Sequence, residues 1–439
     1  MKNALKLTLT TAALLCAAAF AQPYSQYSGT TIVVSWPAIS HFERAAELIP
    51  QFEEETGIEV EVDSTQYEGM LDRQLTEVSK PGTGDFDVIA WVVFSKNILA
   101  SQGFLTPLSQ FLVNPELTDP GYDIEDLVPA YVTTGGKVGG NKGYLDGAGA
   151  SLVGLPFGAE TSILVYRKDI FEEYDLSVPT TYDELLETAK FITENVPDTY
   201  GMTSRGGGSA HGYLLHLTPY GGRVLDDTFT PQLSSPEALA AANAFKTIVA
   251  NSPPGAASNG FGEEAAAFLQ GDSAMYLDTY KVAAQSRDPN QSVIDGKIGF
   301  ALHPETAAGC GSELGGFAMG IPSNSANKEA AWLFMQWMTS KETDRAIVEA
   351  GGDPGRLSTL ADPELQARFP EYPVILEQLQ TCAALDWRPL IPQWGEVDSI
   401  IGEEIGAMLT DQKTPEEALS SANGRLTEAL ERAGYYSWK

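Results

Sequence analysis

Four histidines, 59 carboxylates and three cysteines are the side chains from which this 439-residue chain could build a catalytic centre. Their spacing does not build one. His41, His211, His216 and His303 are scattered, and His211 and His216 are five apart, off one helical face. No HExxH, CxxC pair, GxSxG elbow, P-loop or calcium-loop spacing occurs. The glycines of residues 135–143 come with Lys137 and Lys142, but no Gly-Lys-Ser/Thr follows. Ser325-Ala326-Asn327-Lys328 has SxxK spacing ahead of a helix whose face is apolar. A pair among the many carboxylates could flank a glycosidic bond, which makes a secreted glycosidase the enzymatic alternative. No spacing singles out such a pair. The expectation is a protein without catalytic residues, metal or cofactor.

The elements that would position any site begin after a leader. Lys2 and Lys6 precede an apolar run from Leu7 to Phe20, and Ala19-Phe20-Ala21 supplies the small-x-small exit. This reads as a signal peptide over residues 1–21, cleaved after Ala21. The run is too short for a spanning helix. Leu15 before Cys16 is not the small residue that lipid attachment needs, so a lipid anchor is not expected. Export to a periplasm follows.

The remaining 418 residues exceed the size at which one core stops growing, about 250–300 residues, so two domains are expected. With Lys2 and Lys6 removed, 25 basic residues face 59 acidic ones, net −34. Such a surface repels nucleic acid and anionic lipid. Cys310 and Cys382 remain, and in an oxidising compartment two cysteines suggest one disulfide. Two unpaired buried thiols are the alternative.

Periodicity predicts strand Thr30–Trp36, a helix from Phe42 to Phe52 stopped by Gly57, strand Ile58–Val62, a helix carrying Met70, Leu71, Leu75 and Val78, strand Phe86–Val93, and a helix Lys96–Gln102 closed by Gly103. That alternation is the signature of an open α/β sheet. Further along, Thr181 to Glu184 forms a capping box opening a helix to Asn195, and Ser235-Pro236 starts another. Ser273–Leu277, Ile298–Leu302 and Phe317–Ile321 read as strands, and Ala326–Ser340 as an amphipathic helix. Thr414, Pro415 and Glu417 open a last helix that Gly434 stops. Residues 134–154, with eight glycines, read as a loop.

Several segments resemble the maltose-type periplasmic binding proteins. They are Asp87-Val88-Ile89-Ala90-Trp91, Gly154-Leu155-Pro156-Phe157-Gly158-Ala159-Glu160 with Leu164 to Phe171, Gly271 to Asp278, and Gly315-Gly316-Phe317. Arg388-Pro389-Leu390-Ile391-Pro392 and Arg432-Ala433-Gly434 resemble the sorbitol- and mannitol-binding branch. The shared order covers nearly the whole mature chain. One departure is the glycine-rich stretch before Gly154, longer than the turn usual there. The resemblance implies an α/β fold of two lobes, each an open sheet, with the ligand cleft between them. It implies lobe I from residues 22–159 plus 317–352 and lobe II from 160–316 plus 353–439.

Ligands of open α/β sheets sit outside the carboxyl ends of the strands. Flat aromatic rings cover the C–H face of a sugar, and charged or amide groups bond its hydroxyl rim. On that basis the expected ligand-binding residues are Trp36, Trp91, Phe94, Glu160, Asp278, Tyr280, Phe317 and Arg356. One of Trp387 and Trp394, which flank the Ile391-Pro392 turn, joins them. The implied function is capture of a sugar or polyol by hinge closure, as a monomer, for the membrane subunits of an ABC importer. A receptor for another solute (polyamine, peptide or sugar phosphate) is the alternative.

Overall fold

The structure, a computed structural model, describes residues 25–436. The signal segment, with Cys16 and Ala21, lies outside the described residues. Ten strands form: β1 (Thr31–Pro37), β2 (Glu59–Thr65), β3 (Val88–Val92), β4 (Lys137–Val138), β5 (Ser151–Leu152), β6 (Leu155–Arg167), β7 (Tyr200–Thr203), β8 (Ser273–Thr279), β9 (Ile298–Ala301) and β10 (Leu314–Gly320). The principal sheet runs β2-β1-β3-β10-β6-β8-β7, with β9 also on β6.

β6 passes from one lobe to the other. Its first half, Leu155 to Thr161, pairs antiparallel with β10. Its second half pairs antiparallel with β8 through Ser162–Tyr166 and with β9 through Leu164–Arg167. The parallel pairs β1–β2 and β1–β3 lie on one side of this crossing and β7–β8 on the other. A bulge between Gly316 and Ala318 bends the ladder at the crossing. Gly316 has φ +76° there, and a Cβ on it would strike the Gly158 carbonyl. Each lobe buries its own aliphatic core. One gathers Ile32, Val34, Phe52 and Val88 against Trp332 to Met338, and the other gathers Tyr213, Phe245 and Phe268 against Val397 to Leu430.

The capping boxes at Thr181/Glu184 and Thr414/Glu417 open helices Tyr182–Asn195 and Pro415–Arg432. Ser235 caps Pro236–Ala250 by accepting from the Ala238 amide. The single helix expected from Phe42 to Phe52 is two, Ser40–Ala46 and Ile49–Thr56. Pro50 in the second has no N–H to return to the Ala46 carbonyl, so the chain starts a new helix. The amphipathic helix spans Lys328–Met338 and is buried nearly all round. Residues 111–122 cover its outer side: Phe111 stacks on Trp332 at 5.8 Å, and the Asp119 amide donates to Gln336 Oε1 at 2.7 Å. Within residues 134–154, read as a loop, β4 and β5 pair as a short hairpin.

A Cys310–Cys382 disulfide, Cα atoms 5.5 Å apart, flanks a bridge in which the Ser312 amide donates to the Cys382 carbonyl at 2.8 Å. It ties the segment entering β10 to the end of helix Tyr372–Thr381. The cysteines are 72 residues apart, and closing a loop of that length contributes about 2–4 kcal/mol. The C310S/C382S variant is expected to lose that much in urea denaturation; an unchanged midpoint would show that the bond adds nothing to stability.

Candidate ligand cleft

The cleft forms where strands from both lobes end. Beyond β1 come Ser40 and His41, β3 ends at Val92 with Phe94 two residues on, and Phe317 lies on β10. From the other lobe, Arg205 follows β7, Thr279 and Lys281 close β8, and His211 and Phe261 open helices His211–Leu217 and Phe261–Leu269. Glu160 from the middle of β6, with Glu313, Asp353 and Arg388, completes a cavity of about 580 Å³. Outside the carboxyl ends of parallel strands is where such sheets bind ligands.

Two ion-paired sets and one histidine frame it. Asp278 lies just under the wall; its Oδ1 accepts from Arg205 Nη2 at 2.8 Å and from the Thr279 amide at 2.6 Å. Burial opposes its charge, but Arg205 and then His211 outweigh it and hold the pKa far below the usual range. Lys281 Nζ bridges Glu160 Oε2 at 2.9 Å and Asp353 Oδ2 at 3.3 Å. Burial pushes the Lys281 ammonium down, but the two carboxylates hold its pKa above the ordinary value. His41 Nδ1, from the first lobe, accepts the Asp353 amide at 3.0 Å.

Two groups are left over. Arg388 Nη2 contacts His211 Nδ1 at 2.9 Å, and the guanidinium lies over the rings of Phe94, Trp387 and Trp394 at 5.2, 4.2 and 5.1 Å. Its Nε, and Oε1 of Glu313, are buried and have no hydrogen-bond partner among the described residues. Aromatic faces stand nearby: Phe94, Phe261 under Arg205, and Phe317 with Lys281 5.9 Å above it.

His211, Asp278 and Glu313 bring ligand atoms within 4.8 Å of one another, a spacing that could hold a cation. Asp278 in this trio is already paired with Arg205 Nε at 2.7 Å. With Nδ1 accepting from Arg388, the His211 proton sits on Nε2, which points at Glu313 and Asp278 at 3.1 and 3.3 Å.

Residues 40–345 match the family of bacterial extracellular solute-binding proteins. This chain belongs to that family. A mannitol-binding protein of Pseudomonas aeruginosa is 29% identical over 84% of this chain and 86% of its own. The solute-binding protein of Agrobacterium radiobacter K84 solved with ribitol superposes with TM-score 0.78 at 26% identity, over 92% of this chain and 99% of that one. That of Agrobacterium vitis S4 with D-mannitol gives TM-score 0.75 and 27%, over 92% and 99%.

Of the residues expected at the cleft of this solute-binding protein, Phe94, Glu160 and Phe317 line it. Asp278 and Tyr280 sit one layer behind, where Tyr280 OH donates to the Ala159 carbonyl at 3.3 Å. Five placements need correction. Trp36 is 2% exposed, packed against Phe42 and Phe157 at 5.5 and 6.2 Å in the lobe core. Trp91 points to the opposite sheet face from Val92, because side chains alternate along a strand, and its Nε1 donates to the Gly135 carbonyl at 3.1 Å. Arg356 is fully buried and donates to the carbonyls of Tyr122, Asp123 and Thr339 and to Asp126 at 2.7–3.1 Å. Trp387, whose Nε1 donates to the Leu314 carbonyl at 3.0 Å, and Trp394 both stand behind Arg388. Sequence reasoning missed Arg205, His211, Lys281, Glu313 and Arg388. Only Arg388 lay in a quoted motif. For Glu160 the sequence offers nearby Lys168 as an alternative to a cleft role; the structure pairs it with Lys281.

Two outcomes follow. Trp36→Ala is expected to cost about 3–5 kcal/mol of stability as a core truncation, read by denaturation, with ligand affinity of the folded fraction unchanged; a loss of affinity alone would return Trp36 to the cleft. Burial, then the Lys281 charge, lowers the His41 pKa from 6.5 to about 3. Below pH 6.5 the unfolded chain takes a proton that the folded one refuses, so this group's contribution falls as pH drops, by about 1.4 kcal/mol per pH unit between about pH 6 and pH 4. His41→Asn is expected to flatten the slope of unfolding free energy against pH by that amount.

Proposed function

We propose that this protein captures a neutral polyhydroxylated solute, a sugar or polyol, between its lobes and carries it to the membrane subunits of an ABC importer. It performs no turnover. It works in a periplasm, exported by residues 1–21, cleaved after Ala21, and free of a lipid anchor. Lobe I comprises residues 22–159 plus 317–352 and lobe II residues 160–316 plus 353–439.

The observation that carries this reading is the pair of unmatched groups. Arg205 is matched by Asp278, and Lys281 by Glu160 and Asp353. Arg388 has no carboxylate within ion-pair distance among the described residues and Glu313 has no Lys or Arg, only His211 at 3.1 Å; each also carries a buried atom without a hydrogen bond. A hydroxyl accepts from a guanidinium and donates to a carboxylate, so a chain of hydroxyls satisfies both without net charge. A phosphate would meet Glu313 and a polyamine would meet Arg388, each as a like charge. The Phe94 and Phe317 rings provide apolar faces for C–H groups. The mannitol- and ribitol-binding relatives support the same solute class. Ligand contacting both lobes favours the closed form by its differential affinity.

A thermal-shift screen tests the reading. A true ligand at about 100 times its Kd stabilises by about 2.7 kcal/mol. Sugars or polyols are expected to give this; no shift with any of them, with a shift by spermidine or a peptide, would reverse it. Glu313→Ala and Arg388→Ala each remove a hydrogen bond to a charged group, so each is expected to weaken binding by about 1.5–3 kcal/mol, about 10- to 100-fold, in calorimetric titration. Release of cleaved oligosaccharide by the pure protein would instead favour a glycosidase.

A further inference from the structure

The glycine-rich residues 134–154 form a strap between the lobes. It is rooted in the first. Trp91 Nε1 donates to the Gly135 carbonyl at 3.1 Å, Lys96 Nζ to the Thr133 and Thr134 carbonyls at 3.1 and 2.7 Å, and Asn97 Nδ2 to the Gly143 carbonyl at 3.1 Å. The Leu108 amide holds the Leu152 carbonyl at 2.8 Å.

The glycines shape the strap. Gly139, Gly143 and Gly149 take φ of +81, +76 and +81°, and a Cβ on Gly140 would strike the Leu145 carbonyl. Lys142, at φ +54°, is held in the left-handed region without being glycine. This backbone turns two side chains toward the second lobe. Lys142 Nζ meets Asp386 Oδ2 at 2.5 Å and donates to the Leu225 carbonyl at 3.2 Å. Tyr144 OH donates to Asp386 Oδ1 at 2.5 Å. Each carboxylate oxygen of Asp386 is therefore held by one strap residue. Tyr144 is fully buried and the Lys142 side chain nearly so, while Asp386 keeps 31% of its side chain exposed, so the contact is only partly shielded from solvent screening.

Asp386 stands two residues before Arg388. Between them Trp387 is pinned by its bond to the Leu314 carbonyl. Gripping Asp386 thus fixes the start of the short segment that delivers Arg388 to the cavity, and joins the lobes at the same point. We propose that the strap is an interlobe latch in which Lys142 and Tyr144 are positioning residues, acting through Asp386 to set Arg388 against the ligand. The latch rests on the ligand reading above, because Arg388 is its output.

The test uses the mature chain, with D-mannitol and ribitol as probes in calorimetric titration. D386N and the volume-conserving K142M/Y144F are each expected to bind about tenfold more weakly than wild type, about 1.4 kcal/mol. Combining them is expected to add little, since both remove one contact. In an R388K background the loss is expected to shrink, which a merely structural role would not produce. Affinities within about twofold of wild type, additive losses, or an undiminished loss in R388K would overturn the latch. Amide exchange over residues 384–390, read without ligand, keeps the proposal separate from the ligand reading. It is expected to rise several-fold in K142M/Y144F whether or not a polyol binds, while the remaining peptides keep their protection and show that the variant is folded. Unchanged exchange at 384–390 overturns the latch. Failure of the wild type to bind any sugar or polyol overturns the ligand reading alone.

Discussion

The hydrogen-bond ladder along β6 is the constraint on which the remaining geometry depends. One strand cannot move its two halves independently, yet it pairs with β10 up to Thr161 and with β8 and β9 from Ser162 onward. The change of partner occurs between Thr161 and Ser162, which places Glu160, just before it, in the cleft lining. The Gly316 bulge lets the two ladders meet at an angle while their backbone groups stay paired. A shared strand therefore fixes both the depth of the cleft and the line about which the lobes can open.

Buried charge then fixes the walls. An isolated ion in such a place is costly, and partners plus hydrogen bonds are what make it tolerable. Asp278 with Arg205, and Lys281 between Glu160 and Asp353, meet that requirement internally. Glu264, 3.5 Å from Arg205 Nε, takes the other course: burial, then Asp278, raises its pKa well above the usual range and favours the neutral acid. Arg388 Nε and Glu313 Oε1 are among the buried cleft atoms left without a hydrogen bond among the described residues, together with His41 Nε2 and Gln285 Oε1. On the proposed reading, recognition resides in what the protein's own network leaves unpaired.

On the latch proposal, pairing by distant residues gives a use to the glycine-rich segment before Gly154. A short turn would join β4-side and β6-side segments as well, but would not reach Asp386. The eight glycines supply left-handed turns and room for close carbonyls, and the strap uses both to place Lys142 and Tyr144.

Much of the fold was legible in the chain. Alternation in Ile58–Val62 predicted β2, apolar runs predicted β1 and β3, and the boxes at Thr181/Glu184 and Thr414/Glu417 predicted helix starts that the structure contains. Those signals are local: a cap and its helix, or a strand and its neighbours, lie within a few residues. The site was less legible. Length and the family resemblance pointed to two lobes; Phe94 follows from the end of a strand, and Glu160 and Phe317 from segments that resemble cleft elements. Nothing local distinguishes Trp91 from Val92 as the one facing the cleft; the sheet's alternation does, once a partner sets which face is which. Nothing local pairs Glu160 with Lys281 rather than Lys168, or leaves Arg388 without a carboxylate. The sequence alone determined the periodicities, the caps, the charge and the family likeness. The tertiary structure decided which buried charges cancel and which are left to meet a ligand, because the partners that cancel them lie more than seventy residues apart and meet only when the chain folds.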